Sequence, residues 1–294
     1  MEKDHSIGLI ILVGIVAIGL TGGIHGAGNN GLFSSGATPV EKQNSIANQI
    51  QETELKVKDL QKKVQEEEDK KTQSKYKGIV RMYYINRSTD PAQEYVTLHV
   101  DNTNGETIPV TGWTLKSTSS GRSVNIPKAT YLYFAGSINT EDPIYLTGGD
   151  TLYLVTGISP NGASFKSNKC SGYLSQFQTF VPYLSSSCPR PGEEDLSSIP
   201  TTVNNDACLD YIQYFPSCRI QTDPTPANWS YECTNFIYKK INYPACVDAH
   251  KNNKNFYQPE WRVYLKRNEP LWKNSRENVV LYDNEGKIVD TLSY

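Results

Sequence analysis

The stretch 81–115 constrains this chain more than any other. Within it, Glu94-Tyr95-Val96-Thr97-Leu98-His99-Val100 alternates apolar and polar side chains. That period of two puts Val96, Leu98 and Val100 on one face of a strand and Tyr95, Thr97 and His99 on the other. A turn must follow, and Asp101 to Glu106 contains the Asn104-Gly105 pair that accepts positive backbone dihedrals. Val110-Thr111-Gly112-Trp113-Thr114-Leu115 then reads as the return strand of a hairpin. Gly112 suits a close backbone approach, and Trp113 is large enough to anchor a core between two sheets.

The chain end repeats the pattern, with Val279-Val280-Leu281-Tyr282, a turn at Asp283-Asn284-Glu285-Gly286, and Lys287 to Tyr294 returning. Together these segments resemble the lamin tail domain family: a Glu-Tyr-apolar-x-Leu strand, a polar turn, an apolar-Thr-Gly-Trp-x-Leu strand and a closing hairpin. The residues that carry the resemblance are Glu94, Tyr95, Leu98, Gly112, Trp113 and Leu115. It covers 78–167 and 259–294, and it implies an immunoglobulin-like β-sandwich over 78–294. Short strands expected at 78–86, 123–126, 131–134, 144–146 and 151–155, separated by glycine-rich turns, fit a sandwich independently of the family. In the first of these, Ile79, Arg81, Tyr83 and Ile85 would share one face.

Between 168 and 258 the character changes. All six cysteines, Cys170, Cys188, Cys208, Cys218, Cys233 and Cys246, fall in this stretch, which reads as an insertion because sandwich-like sequence resumes at Trp261. An even, clustered set suits disulfides and an oxidising compartment. Zinc is disfavoured, since no two cysteines are two to four residues apart and His250 is the sole histidine near them. Apolar residues at helical spacing predict helices over 206–215, capped by Asp206, and over 228–242. A short proline-containing link would pack them as an antiparallel hairpin. That arrangement pairs Cys218 with Cys233, Cys208 with Cys246, and Cys170 with Cys188.

The N-terminus reads differently again. After residues 1–6, the segment 7–24 carries no charge and approaches the roughly 20 residues that cross a bilayer as a helix. The competing reading is a cleaved signal peptide, but Thr21-Gly22-Gly23 is a poor small-x-small site. With the cysteines placed outside, 1–6 is cytosolic and the rest extracytoplasmic, a single-pass protein of the cell membrane. Residues 25–40 have the composition of a flexible linker. From 41 to 75, Ile46, Ile50, Thr53, Val57, Leu60 and Val64 recur at alternating intervals of four and three, the seam of a short coiled coil. A single solvated stalk helix is the other reading of the same residues.

No motif fixes a catalytic site, a cofactor or a metal: His99 falls on a strand face, His5 and His25 flank the span, and phosphate-loop and calcium-loop spacings are missing. The expectation is therefore a non-enzymatic, membrane-anchored interaction or adhesion-type protein whose partner is a protein or glycan at the cell surface, with a weak homodimer through the coil. The alternative is a secreted or anchored carbohydrate-binding or accessory module of a hydrolase, because the resembled family is often fused to hydrolytic enzymes. A formal net charge of -2 and the lack of a basic stripe argue against nucleic acid. Tyr211, Tyr214, Phe215, Trp229, Tyr231, Tyr238, Tyr243, Phe256 and Tyr257 are dense in the insertion, and most of them are expected to form its small core.

Overall fold

The computed structural model describes residues 39–294. The N-terminal residues 1–6, the apolar segment 7–24 and all but the end of the linker 25–40 lie outside the described residues. Helix α1 (Pro39–Thr72) begins two residues before the expected stalk, with proline at its first position, where a missing N–H costs nothing. It is 34 residues long, about 50 Å at the usual rise. Lys56–Glu52 and Lys63–Asp59 pairs one turn apart support it, as does Lys70–Glu67. Of the expected seam, Ile50, Leu60 and Val64 are exposed and Thr53 and Val57 half-buried. No helix among the described residues is long and apolar enough to cross a membrane. The chain divides into two units, 1–63 and 64–294, and the described part of the first is helix alone.

The second unit is built on strands β1 (Val80–Asn86), β2 (Tyr95–Val100), β3 (Ile108–Pro109), β4 (Thr114–Ser117), β5 (Ser123–Asn125), β6 (Tyr145–Leu146), β7 (Thr151–Val155), β8 (Phe165–Asn168), β9 (Tyr257–Tyr264), β10 (Asn278–Tyr282) and β11 (Ile288–Ser293). They form a five-stranded sheet in the order β1-β2-β7-β9-β8, a four-stranded sheet β11-β10-β4-β5 and the small pair β3-β6. Val96, Leu98, Leu152, Leu154, Trp261 and Val263 from the first sheet and Leu115, Val279, Leu281 and Val289 from the second bury into one core around Trp113. Tyr76 closes it, with its ring 5.3 Å from that of Trp113.

The expected hairpin between the two signature strands does not form. The turn is present, with Asn104 and Gly105 both at positive φ, but β2 pairs with β1 and β7 while β4 pairs with β5 and β10. The chain instead crosses between sheets through β3, where buried Ile108 pairs with Leu146. Each signature supplies an apolar face, and the two faces meet most fully from opposite sides of one core. Gly112 has φ +88°, and a Cβ there would lie 2.7 Å from Asn284 Oδ1 in the β10–β11 turn, so side-chain proximity and backbone conformation both favour glycine. The strand expected at 131–134 is also missing. Tyr131 wedges edge-on against Trp261 and Tyr257, and the Asn139 side chain holds both the N–H and C=O of Phe134 in a loop.

The insertion leaves the sheet after β8 and returns at β9, two strands that are themselves antiparallel neighbours, so its base is closed by the sheet. It holds α2 (Asp206–Gln213), α3 (Tyr231–Lys240) and α4 (Tyr243–His250). The cap of α2 is Asn205, not the expected Asp206, which is the first helical residue. The single helix expected over 228–242 is two: α3 stops at Lys240, and Asn242 caps α4 by accepting from Ala245 N–H, just before Pro244 removes a donor.

That third helix overturns the expected disulfides. All six cysteines are paired, but as Cys170–Cys246, Cys188–Cys218 and Cys208–Cys233, with Cα separations of 5.9, 5.2 and 6.4 Å. Cys246 sits on α4, which packs back toward Cys170 beside β8. Cys208 on α2 therefore faces Cys233 on α3, and Cys218 turns to the loop at Cys188. Of the insertion aromatics, Phe215, Tyr243 and Phe256 are buried and Tyr211 and Trp229 half-buried, whereas Tyr214, Tyr231, Tyr238 and Tyr257 are exposed.

Candidate functional site: an aromatic sheet face

One face of the five-stranded sheet lines the common core. On its other face, the insertion core includes Val155, Phe165 and Tyr264 and reaches Tyr95 of β2, leaving Thr97 and His99 half-buried and Tyr83 and Tyr84 of β1 exposed. Register aligns Tyr84, Thr97, Tyr153, Arg262 and Phe165 in one row across all five strands, and Arg81, His99, Thr151 and Glu260 in the next.

Simple alternation would place Tyr83 and Tyr84 on opposite faces. A β-bulge between Met82 and Tyr84 breaks it, so that Val80, Met82 and Ile85 point inward while both tyrosines are exposed, 58% and 53%. The expected shared face of Ile79, Arg81, Tyr83 and Ile85 is thereby corrected. The bulge is held from the opposite sheet: Met82 N–H donates to Asp290 Oδ2 of β11 at 2.6 Å. The Tyr83 ring stands edge-on to His99 at 5.4 Å, and Tyr84 lies 6.1 Å from Tyr95, which in turn meets Tyr153 at 6.0 Å. Burial, together with Tyr84 and Tyr153 nearby, pushes the Tyr95 phenol above its ordinary range.

Within the row, the Arg262 guanidinium lies 4.5 Å from the centre of the Tyr153 ring and is buried. Its donors are taken by Glu260 Oε1 at 2.8 Å, by the Tyr183 carbonyl at 2.9 Å and by the Pro182 carbonyl. Ser167 also donates to Glu260. Thr151 and Tyr153 continue into a cavity of about 250 Å³ whose walls include Ser167, Ser185, Gln258 and Glu260. His99 Nδ1 is 3.1 Å from Thr151 Oγ1, which ties the ring to this rim.

The fold-signature residues do structural work around the face. Glu94 is fully buried and accepts from Thr156 Oγ1 at 2.6 Å, Leu271 N–H at 2.7 Å and Trp272 N–H at 3.1 Å, stapling the start of β2 to the segment after β9. Leu98, Trp113 and Leu115 lie in the core, and Tyr95 alone of the six reaches the aromatic row. Sequence reading missed the row because only pairing register and the bulge assemble it, although Tyr83-Tyr84 side by side in a strand was a visible departure from alternation.

A larger cavity, about 600 Å³, lies within the insertion between the 189–198 loop and the junction of α3 and α4. His250 Nε2 meets Glu194 Oε1 at 2.7 Å beside it, which fastens that loop to α4. Burial, with Glu194 adding to it, pushes the lining Tyr173 phenol up to about 12. Lys239, Lys240, Asp195 and Asp248 give it a mixed-sign lining, which selects no ligand class. His99 and His250 are thus separate, each with its own polar partner. Among the described residues no group of histidine, cysteine and carboxylate side chains is arranged to hold a metal.

No protein-family model matches the chain. No curated protein matches it significantly either.

Proposed function

We propose that this chain is a membrane-anchored, outward-facing interaction protein: residues 7–24 anchor it, α1 forms the stalk, and a lamin-tail-like, immunoglobulin-like sandwich presents the binding surface. The observation that carries the reading is the aromatic cluster formed by exposed Tyr83 and Tyr84 with half-buried Tyr95 and His99 beside them. Exposed tyrosines ordered by a bulge, rather than scattered singly, are the composition of a recognition surface. The sandwich reading is supported by two sheets sharing one core around Trp113. Three disulfides support the extracytoplasmic placement, since such bonds persist in oxidising compartments. The exposed Ile50, Leu60 and Val64 support weak pairing of two anchored copies, whose shared membrane raises their effective concentration.

Intact cells carrying the full chain test this directly. External protease is expected to remove the part beyond residue 41, and Tyr83→Ala with Tyr84→Ala is expected to abolish cross-linking to surface material. Protection in intact cells followed by loss in lysed cells reverses the orientation. Cross-linking unchanged by the double substitution removes the sheet face from the function.

A further inference from the structure

We infer that the aromatic face binds a neutral, β-linked polysaccharide chain; the inference rests on the reading of this face as the recognition surface. Three features select that chemistry.

The first is charge. The charged groups in the two rows are already paired: Arg81 with Asp101 at 2.7 Å and Arg262 with Glu260 at 2.8 Å. A polyanion such as nucleic acid or a sulfated glycan needs cations with unspent donors. Arg262, the guanidinium in the Tyr84 row, has given its donors to a carboxylate and two backbone carbonyls and is buried. A neutral ligand leaves both pairs undisturbed.

The second is the alternation of ring and hydroxyl. Exposed Tyr83 and Tyr84, with half-buried Tyr95 beside them, offer aromatic rings, whereas Thr97 opposite Tyr84 and the His99–Thr151 pair in the next row offer polar groups. A pyranose with equatorial hydroxyls has the complementary build: its C–H face, slightly positive, rests on the negative face of an aromatic ring, and its hydroxyls project from the edge. An apolar peptide anchor would instead require a dry pocket, and the adjoining cavity is walled by Ser167, Ser185, Gln258 and Glu260.

The third is shape. From Tyr84 on β1 to the cavity beside β9 the face spans three strand spacings, about 14 Å. An open, gently twisted platform of that length fits several residues of an extended chain, which β-linkage produces. The cavity at its end, bordered by Leu184 and Ser185 of the insertion, would take a terminal or branching sugar. The insertion thus sets one end of the site while the bulge sets the other.

The test uses the full chain in a sugar-free detergent, with affinity electrophoresis through gels containing β-glucan, chitin-derived oligosaccharide, α-glucan or a sulfated polysaccharide. Retardation is expected in at least one of the neutral β-linked gels. Tyr83→Ala with Tyr84→Ala should weaken it roughly tenfold, from the loss of two stacking contacts, and Tyr84→Trp should retain it. Tyr231→Ala, an exposed tyrosine on α3, should change nothing. Retardation only by the sulfated polymer, or retardation lost on Tyr231→Ala but not on the sheet-face variant, overturns the inference. So does no retardation in any gel. If surface cross-linking in cells still depends on Tyr83 and Tyr84 in that last case, the recognition surface stands and its ligand is a protein. If it does not, both readings fall together.

Discussion

The sheet region and the cysteine-rich insertion reach stability by different means although they share strands β8 and β9. The sheets enclose a core of aliphatic side chains around Trp113 and Trp261, and long-range strand pairing satisfies their backbone. Where the backbone leaves the ladder, buried carboxylates take over: Glu94 receives three donors, and Glu277 accepts from Ser117 Oγ, Lys273 N–H and Asn278 N–H. The insertion has no such ladder. Its helices run only 8, 10 and 8 residues, below the length at which a helix persists alone in water. Its core mixes aromatics with all six cysteines, and the 76-residue separation of Cys170 and Cys246 clamps the whole excursion at its base. A region too small to fold on burial alone is held by covalent links, and a larger one is held by a sheet.

Breaking the clamp should separate the two regions most strongly. Each disulfide restricts the unfolded chain by roughly 3 to 4 kcal/mol, the most for Cys170–Cys246 because its loop is longest. Replacing both of these cysteines by serine is expected to lower stability by about 4 kcal/mol. Native-state hydrogen exchange should then find α2, α3 and α4 unprotected while β2, β7 and β10 keep their protection. Equal loss across both regions would mean that they unfold as one and that the contrast drawn above is false.

Glu94→Ala probes the other side of the comparison. It strands one hydroxyl and two backbone N–H donors in a fully buried site, for an expected loss of about 3 kcal/mol. Urea unfolding should register that loss with all three disulfides intact. A change below about 1 kcal/mol would show that water or a shifted backbone replaces the carboxylate.

The smallest effect is in acid. Burial alone would raise the Glu277 pKa, but the Lys273 N–H, the Ser117 hydroxyl and the Asn278 N–H, aided by Ser119, outweigh it and hold the carboxyl below its ordinary 4.5. A folded-state pKa below the unfolded one gives stability that is complete above about pH 4.5 and is lost as pH falls through the depressed value. Glu277→Gln should therefore be less stable than the parent at pH 7 and lose less of its stability between pH 5 and 2. Parallel pH curves for the two proteins would remove Glu277 from the acid response.

Several local features were legible in the sequence because local chemistry decides them. The alternation of Val96, Leu98 and Val100 is that of β2, the turn at Asp283 to Gly286 joins β10 to β11, and the charge pattern after Glu41 belongs to α1. Six clustered cysteines announced disulfides, and all six fall between the end of β8 at Asn168 and the start of β9 at Tyr257. Three things were decided only by tertiary structure. β2 and β4 lie in different sheets because each apolar face finds the other across the core, a contact to which a local turn contributes little. The disulfide partners follow from the path of α4, which starts only because Asn242 and Pro244 end the previous helix and redirect the chain toward Cys170. The aromatic face exists because a single extra residue in β1, stabilised by Asp290 some two hundred residues away, turns Tyr83 and Tyr84 to the same side. Periodicity governs which side chains an isolated strand presents, but a bulge is a property of the pair of strands and of what binds the N–H it releases, so no single segment encodes it.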